Sequence, residues 1–330
     1  MPSILAIETS CDETSVSILK DNQILSNIIS SQIDIHAVFG GVVPEVAARH
    51  HLKNLPLVFE KAIQQADISL SQIDAIAVTT GPGLAGSLLV GISFAKGVAI
   101  ALEKPLIGVN HLLAHVFAAK LAFSELEPPY LALLVSGGHT ELLMFENSSI
   151  NPVLLGRTLD DAAGEAFDKV ARLLEIGYPG GPAIEQLSLT GNPYKYRFPR
   201  AMLEEGNLNF SFSGVKTSVL YTLKENEKIC KPDIAASFQE AVVDVLIEKT
   251  AMAVRMTGMK KVVVVGGVAA NSRLREKITF WAKENDLQIY IPPKNLCTDN
   301  AAMVARAAID LMKNESYASL NVTADPALSF

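Results

Sequence analysis

The 330-residue sequence contains little cysteine, with only Cys11, Cys230 and Cys297. Three widely separated cysteines argue against a disulfide framework and favour a reducing compartment. The N-terminus has no basic segment before its first apolar run, so the sequence predicts no signal peptide. We therefore expect a soluble protein of the cytoplasm.

An excess of positive charge is also missing. The net charge is −7 at pH 7, whereas proteins that bind nucleic acid on their own usually carry a basic surface. If the chain acts on RNA, it needs a local basic patch or a partner that supplies one. In residues 194–200, Lys195, Arg197 and Arg200 alternate with aromatic residues. This pattern suits stacking on bases with phosphate contacts, and a solvated loop is the alternative.

Long apolar runs are few. One run of membrane-spanning length, residues 84–102, contains Lys96 and three glycines. These residues favour a buried helix that its neighbours cross closely over a membrane span. The pattern Gly-x-x-x-x-Gly-Lys-Ser/Thr is absent as well, which disfavours a Walker-type nucleotide site.

The order of the predicted strands and helices repeats along the chain. Each half begins with three strands, namely residues 4–8, 16–20 and 23–29 in the first half and residues 130–135, 139–145 and 152–157 in the second. Helices and strands then alternate. We therefore predict an internal duplication and an α/β fold of two pseudo-symmetric lobes with a ligand cleft between them.

The lobe boundaries follow from this repeat. The first predicted lobe is residues 1–109, and the final helix, at about residues 299–313, is expected to pack back on it. The second predicted lobe is residues 110–298. Within it, residues 177–231 are rich in Gly, Pro and Tyr and are expected to form an irregular insertion.

A predicted helix carries His111 and His115 close to its start. Residues four apart share a helix face, so both imidazoles can bind one metal ion; two satisfied histidines are the alternative. Leu112 stands where the protease pattern His-Glu-x-x-His needs its glutamate, so that signature is absent. Asp299, otherwise a helix cap, would complete a two-histidine, one-carboxylate set typical of iron(II), with zinc as the alternative. Cys297 is either a competing ligand or a small buried residue.

Four turns at predicted strand ends are candidates for binding a phosphate-bearing ligand, because α/β folds place ligands there. They are the turn with Asp12 and Glu13 and the turns in residues 134–140, 178–182 and 265–271. The turn at 178–182 lies just ahead of a helix predicted to start near Ala183. Glycine lets backbone N–H groups approach an anion closely, although an ordinary tight turn is the alternative. Asp168 lies beside Lys169 in a further predicted helix and is either a ligand for a hydroxyl or amine or a partner of the helix dipole.

Five motifs occur together in one known family. They are Glu8-Thr9-Ser10-Cys11-Asp12-Glu13-Thr14, Asn110-His111-Leu112-Leu113-Ala114-His115, Leu134-Val135-Ser136-Gly137-Gly138-His139-Thr140, Gly266-Gly267-Val268-Ala269-Ala270-Asn271 and Thr298-Asp299-Asn300. In these motifs, and over residues 4–312, the sequence resembles the TsaD family of tRNA N6-adenosine threonylcarbamoyltransferases, formerly described as O-sialoglycoprotein endopeptidases.

The resemblance implies the fold shared by actin, sugar kinases and the Hsp70 ATPase, the ASKHA fold. It implies one divalent metal ion, Fe2+ with Zn2+ or Mg2+ as alternatives, held by His111, His115 and Asp299. Residues implied to bind the threonylcarbamoyl-adenylate substrate are Leu134, Val135, Ser136, Gly137, Gly138, Asp168, Gly181 and Asn271. Glu185 stands where members of the family often carry a ligand-binding Asp.

The implied reaction is transfer of the threonylcarbamoyl group from threonylcarbamoyl-AMP to N6 of adenosine 37 in tRNAs that read ANN codons, with release of AMP. Asp12 and Glu13 are then candidates for proton transfer or contacts with water at the metal. The implied partners are tRNA, a smaller paralogous TsaB-like subunit and a P-loop ATPase subunit of the TsaE type. The alternative activities are an ATPase or kinase of the same fold, a metallopeptidase, and a non-catalytic scaffold.

Overall fold

The computed structural model describes residues 2–148, 150–225 and 229–330. The chain forms two compact units. The first comprises Met1–Leu126 and Thr298–Phe330, and the second comprises Glu127–Cys297. Each unit has its own mixed sheet and its own hydrophobic core.

Among its described residues, the first unit has a five-stranded sheet and five α-helices. Its strands are β1 (Ser3–Glu8), β2 (Glu13–Lys20), β3 (Gln23–Ser31), β4 (Ala75–Gly81) and β5 (Leu106–Asn110). Its helices are α1 (Ile33–Ala37), α2 (Pro44–Ala66), α3 (Ala85–Leu102), α4 (His111–Ala122) and, from the end of the chain, α10 (Ala301–Lys313).

The second unit has the same number of strands and helices among the residues described. Its strands are β6 (Tyr130–Val135), β7 (Thr140–Phe145), β8 (Val153–Arg157), β9 (Lys261–Val265) and β10 (Gln288–Tyr290). Its helices are α5 (Ala163–Leu174), α6 (Gly180–Ser188), α7 (Ser213–Glu225), α8 (Lys231–Thr257) and α9 (Ser272–Glu284). Short 3-10 helices occur at Leu70–Gln72, Gly267–Ala270 and Lys294–Leu296.

The two sheets have the same topology. The strand order is β3-β2-β1-β4-β5 in the first sheet and, in the corresponding sense, β8-β7-β6-β9-β10 in the second. The central strands β1 and β6 each pair antiparallel with the next strand and parallel with a later one. The internal duplication predicted from the sequence is therefore confirmed.

Strand composition explains these positions. Every residue of β1 and of β6 is buried, as expected for a central strand covered on both faces. Strand β3, in contrast, mixes exposed and buried residues and lies at the edge. It is joined to β2 by Asp21 and Asn22, whose φ angles of 50° and 63° are those of a type I′ hairpin turn.

The histidine helix α4 lies in the first unit, whereas the sequence-based boundary after residue 109 assigned it to the second lobe. It belongs to the first unit because it packs against α10. The contact includes a buried ion pair in which Lys120 Nζ donates to Asp310 Oδ2 at 3.0 Å. A contact formed by residues so distant in the sequence has no local signal.

Helix α3 was expected to be buried and crossed closely by its neighbours, and this holds for one face only. Leu88, Ile92 and Ala95 of that face are buried in the first core, while Leu89 and Ile100 are exposed. Within the described residues, α3 alone is long and apolar enough to cross a membrane, and 33% of it is buried.

The expected irregular insertion at residues 177–231 contains two helices, α6 and α7; its residues 226–228 lie outside the described part of the chain. The helix predicted to start near Ala183 is α6, which begins three residues earlier, at Gly180. Helix α7 begins where Asp160 Oδ1 accepts hydrogen bonds from Phe212 N at 2.8 Å and Ser213 N at 3.2 Å. Because this capping residue lies about fifty residues upstream, no local sequence motif predicts the start of α7.

The C-terminal segment packs on the first sheet. Asp325 N donates to Thr80 O at 2.9 Å, and Gly83 N donates to Pro326 O at 3.2 Å. Residues 81–86 have the glycine spacing of a dinucleotide-binding turn between a strand and a helix. In this structure the turn is instead covered by the tail of the same chain.

Candidate functional site

Helix α4 carries two histidines in its first two turns. Asn110 caps the helix, since its Oδ1 accepts from Leu112 N at 2.9 Å and Leu113 N at 3.1 Å. The rings of His111 and His115 lie one turn apart with centroids separated by 4.7 Å. The predicted shared face is therefore present.

Asp299 lies opposite these rings. It precedes α10, whose N-cap is Asn300, with Oδ1 accepting from Met303 N at 3.1 Å. The carboxylate of Asp299 is consequently not used as the helix cap. Its Oδ1 is 3.6 Å from His111 Nε2 and 3.1 Å from His115 Nε2. One ligand atom from each of the three residues lies within 4.8 Å of the others.

A second carboxylate, missed by the sequence analysis as a site residue, lies behind His111. Glu8 ends β1 and is fully buried, with Oε2 at 3.1 Å from His111 Nδ1. It also accepts from Thr79 Oγ1 at 2.6 Å and from Ser10 N at 2.5 Å. The available signal was a glutamate at the end of an otherwise apolar buried strand, since a buried carboxylate needs partners.

The charges in this cluster shift one another. Burial by itself would lower the pKa of His111, but the carboxylates of Asp299 and Glu8 outweigh it and raise the pKa to about 9. Burial would raise the pKa of Asp299, but His111 and His115 lower it to about 2. Without a metal, His111 is thus an imidazolium held between two carboxylates.

The residues fit a bound metal ion. Among the described residues, the buried Nε2 of His115 meets only the Asp299 carboxylate, and its Nδ1 has no hydrogen-bond partner, a costly arrangement that a bound metal would help to offset. Two atoms that bind one metal at about 2.1 Å stand roughly 3 to 3.4 Å apart, close to the distances from Asp299 to the two rings. The contact of Glu8 with Nδ1 leaves Nε2 of His111 for the metal.

The predicted acidic turn lies in the same unit, between β1 and β2. Glu13 accepts from Ser31 Oγ at 3.2 Å. Burial, followed by repulsion from Asp299 and Asp12, raises the pKa of Glu13 well above its usual value, and a hydrogen bond to Asp12 adds to the effect. Glu13 therefore holds its proton more tightly than an ordinary glutamate and lies close to both acids.

In the second unit, the turn Ser136-Gly137-Gly138 connects β6 and β7. Ser136 N donates to His139 O at 2.8 Å, and His139 N donates to Ser136 Oγ at 3.1 Å. A Cβ added at Gly137 or Gly138 would meet nothing within 4 Å. Within the described ranges, the backbone N–H groups of these two glycines donate no hydrogen bond to the protein. Such a turn can hold an anion, as predicted from its glycines.

Two residues of the predicted substrate set contribute no side chain to this turn. Leu134 and Val135 are fully buried in β6, so only their backbone is available to a ligand. The backbone of Gly266 passes close by, since its Cβ would lie 2.4 Å from Val135 O, and its φ of +92° also requires glycine.

Asp168 holds the next glycine turn. Its Oδ1 accepts from Gly180 N at 2.7 Å, and a Cβ on Gly180 would touch the backbone of Asp168. The neighbouring Gly181 has open space around its Cβ position. Glu185, one turn further along α6, has Oε1 at 3.7 Å from Lys294 Nζ. Asp168 thus holds the start of α6, the helix that carries Gly181 and Glu185.

Asn271 is more engaged than the sequence suggests. Its Oδ1 caps α9 by accepting from Leu274 N at 3.0 Å, and its Nδ2 donates to Gln239 Oε1 at 2.7 Å. The side chain is buried and rigidly placed at the start of α9. Both of its polar atoms therefore have a structural role in this unit.

Two other predictions concern residues 194–200 and Cys297. In residues 194–200, Phe198 is buried in the second core and Arg200 pairs with Asp244 at 2.6 Å. Tyr194, Lys195, Arg197 and Pro199 of this segment are exposed, so two of the three positive side chains, Lys195 and Arg197, are left for RNA contacts. Cys297 is buried in the second core, in agreement with the predicted alternative of a small buried residue.

Two solved structures share the fold at low sequence identity. Full-length HypF in its phosphate- and nucleotide-bound form has a TM-score of 0.63 at 16% identity, with 95% of this chain and 46% of HypF covered. The activator of the 2-hydroxyisocaproyl-CoA dehydratase from Clostridium difficile has a TM-score of 0.55 at 18% identity, with 95% and 96% covered. The α/β fold is of the ASKHA class, as expected.

Curated relatives match the chain along its whole length. The tRNA N6-adenosine threonylcarbamoyltransferase of Thermosipho africanus is 56% identical over 327 residues, with 98% of this chain and 99% of the relative covered. The protein of the same name from Desulfitobacterium hafniense is 52% identical, with 99% and 97% covered. The family model described as tRNA N6-adenosine threonylcarbamoyltransferase matches residues 23–306. The chain therefore belongs to the TsaD family of tRNA N6-adenosine threonylcarbamoyltransferases.

Proposed function

We propose that this chain transfers the threonylcarbamoyl group from threonylcarbamoyl-AMP to N6 of adenosine 37 in tRNA with the help of one divalent metal ion bound by His111, His115 and Asp299. The observation that carries the proposal is the convergence of these three ligand atoms within 4.8 Å in a chain of this family. The two-histidine, one-carboxylate set favours Fe2+, with Zn2+ or Mg2+ as alternatives.

In the reaction, the N6 amine forms a C–N bond with the carbamoyl carbon, the C–O bond to AMP breaks, and N6 loses a proton. The bound metal supplies Lewis-acid polarisation and a template for the threonylcarbamoyl group. Glu8 orients His111 through Nδ1. Asp12 is assigned as acceptor of the N6 proton, and Glu13 as the neighbouring acid that shares it.

The second unit is assigned the adenylate. The turn at Gly137 and Gly138 would hold the phosphate through backbone N–H groups and stabilise charge on the departing AMP. Asp168 would keep the turn before Gly181 in place, and Asn271 would hold the start of α9 in position. Glu185 would contact the bound adenylate.

The proposal includes partners and a location. A smaller paralogous subunit and a P-loop ATPase subunit would assist the reaction in the cytoplasm, and they would compensate for the net charge of −7 when tRNA binds. Exposed apolar side chains on α2 and α3, including Leu52 and Leu89, offer a surface on which a protein partner would bury apolar area.

The test begins in cells depleted of this chain, because every partner is then present. Mass spectrometry of tRNA nucleosides should show loss of threonylcarbamoyladenosine, and wild-type chain should restore it. An unchanged level, with depletion verified and no second copy of the gene, would overturn the proposed activity.

A second experiment tests the metal ligands. The double variant His111→Ala with His115→Ala should fail to restore the nucleoside and should purify without metal. If this double variant keeps its metal and the full transfer rate, the metal assignment is wrong.

A further inference from the structure

A third buried histidine, His51 on α2, contacts the acidic turn and has no part in the site described so far. It is fully buried. Its Nε2 lies 2.8 Å from Cys11 O, and its Nδ1 lies 2.8 Å from Thr14 Oγ1. Gln32 Nε2 is a third contact, at 3.4 Å from the same Nδ1.

These contacts fix the proton on the ring. A carbonyl oxygen only accepts hydrogen bonds, so His51 Nε2 must carry the proton and donate to Cys11 O. Nδ1 is then an acceptor for the Thr14 hydroxyl and for the amide of Gln32. Burial also lowers the pKa of His51, which agrees with a neutral ring.

The two strong bonds of His51 bracket the acids, because Cys11 precedes Asp12 and Thr14 follows Glu13. The rest of the turn is held by other elements. Asp12 O accepts from Gln32 N at 3.0 Å, and Ser10 O accepts from Leu84 N at 2.8 Å. His51 is thus the side chain that ties both flanks of the Asp12–Glu13 pair to one rigid helix.

We propose that His51 is a positioning residue that fixes Asp12 and Glu13 for the transfer reaction. The inference rests on the proposed function, in which these acids handle the N6 proton. Loss of the ring would leave Cys11 O and the Thr14 hydroxyl without their partner and would let the turn take several conformations. A proton acceptor displaced by about 1 Å from its working position lowers the rate by up to about 100-fold.

The test uses the full chain with its partner subunits, tRNA and threonylcarbamoyl-AMP. His51→Ala should lower kcat by about 10- to 100-fold, leave KM for threonylcarbamoyl-AMP within about twofold, and leave the metal content unchanged. His51→Gln retains a donor and an acceptor and should recover part of kcat. Thr14→Val removes one of the two bonds with little change of shape, while Thr14→Ser keeps the hydroxyl and should remain near wild type.

Two comparisons separate positioning from general destabilisation. His36→Gln alters an equally buried histidine, on α1, which accepts from Val43 N at 3.3 Å and, in the part of the chain that the structure describes, makes no hydrogen bond to the acidic turn. It should lower Tm without lowering kcat at a temperature where it is folded. Combining His51→Ala with Thr14→Val should cost less than the two losses multiplied, because both remove the same bond.

The outcomes distinguish this inference from the proposed function. If the wild-type chain is inactive with all partners and metal present, the proposed function fails. If the wild type is active and folded His51→Ala retains full kcat, the positioning role is overturned. If His51→Ala does not fold, Thr14→Val decides in the same way. Equal losses of kcat in His51→Ala and His36→Gln would also overturn it.

Discussion

Glu8 Oε2 and His111 Nδ1 lie 3.1 Å apart in the buried interior of the first unit, although 103 residues separate them in the sequence. The carboxylate touches the ring nitrogen opposite to the one that faces Asp299. A carboxylate in this position fixes the ring orientation and the tautomer of a metal-binding histidine. The structure therefore extends the candidate metal site by one residue beyond its three ligands.

Replacing Glu8 should weaken metal binding without removing a ligand. We expect Glu8→Gln to lower the affinity for Fe2+ or Co2+ by about 10- to 100-fold, because the neutral amide supports the His111 ring less well. Isothermal titration of the metal-free protein measures this directly. Glu141→Gln, which alters a buried carboxylate in the second unit, is the matched control and should leave the affinity unchanged. Equal affinities for wild type and Glu8→Gln would refute the role of Glu8.

Metal affinity should depend on pH through His111. Its pKa of about 9 means that the ring is protonated in the metal-free protein at neutral pH, and the metal must displace that proton. Affinity should therefore rise by about tenfold per pH unit up to pH 9 and level off above it. Titrations at several pH values, in buffers that do not bind the metal, measure the slope. A flat profile between pH 7 and 9 would show that His111 binds no proton in the apo site.

Replacing two glycines of the second unit with alanine should have different effects, one on substrate binding and the other on stability. Gly137→Ala adds a methyl group where nothing lies within 4 Å, so Tm should not change. The methyl group would, however, occupy the proposed phosphate-binding turn and raise KM for threonylcarbamoyl-AMP by about tenfold or more. Gly266→Ala would place its Cβ 2.4 Å from Val135 O at a φ of +92° and should destabilise the fold by about 1 to 3 kcal/mol.

Gly214→Ala, at an open position in α7, is the control for both glycine variants and should affect neither KM nor Tm. Thermal melts and steady-state kinetics of the three variants provide the test. If Gly137→Ala binds threonylcarbamoyl-AMP as tightly as wild type, the turn is not the phosphate site.

The buried ion pair between α4 and α10 should matter for stability. Asp310 lies near Lys120, Arg306 and Lys313, which together lower its pKa against the effect of burial. Asp310→Ala removes the carboxylate from two buried cations and should cost about 3 to 5 kcal/mol of unfolding free energy. Lys313→Ala, at a side chain that is 63% exposed, should change it by no more than about 0.5 kcal/mol. Denaturant titrations that find equal stabilities would contradict this account.

Much of the fold was readable from local patterns. Strand β6 has the bounds that the sequence predicts, and β1 and β8 differ from their predicted bounds by one residue, because each is a short run of apolar residues with clear ends. Helix α7 was missed, since it takes its cap from Asp160, a residue far upstream in the sequence. The boundary near residue 109 differed because α4 packs on a helix from the far end of the chain.

The candidate site divides in the same way. The sequence by itself predicts His111, His115 and Asp299 as a candidate metal-binding set and the glycine turns as candidate ligand-binding backbone, because residue type and spacing suit that chemistry. Only the tertiary structure decided that Glu8 supports His111, that His51 brackets the acidic turn and that Asn300 rather than Asp299 caps α10. These assignments depend on distances between residues far apart in the chain. Such distances are set by how strands and helices pack, and no local sequence pattern encodes them.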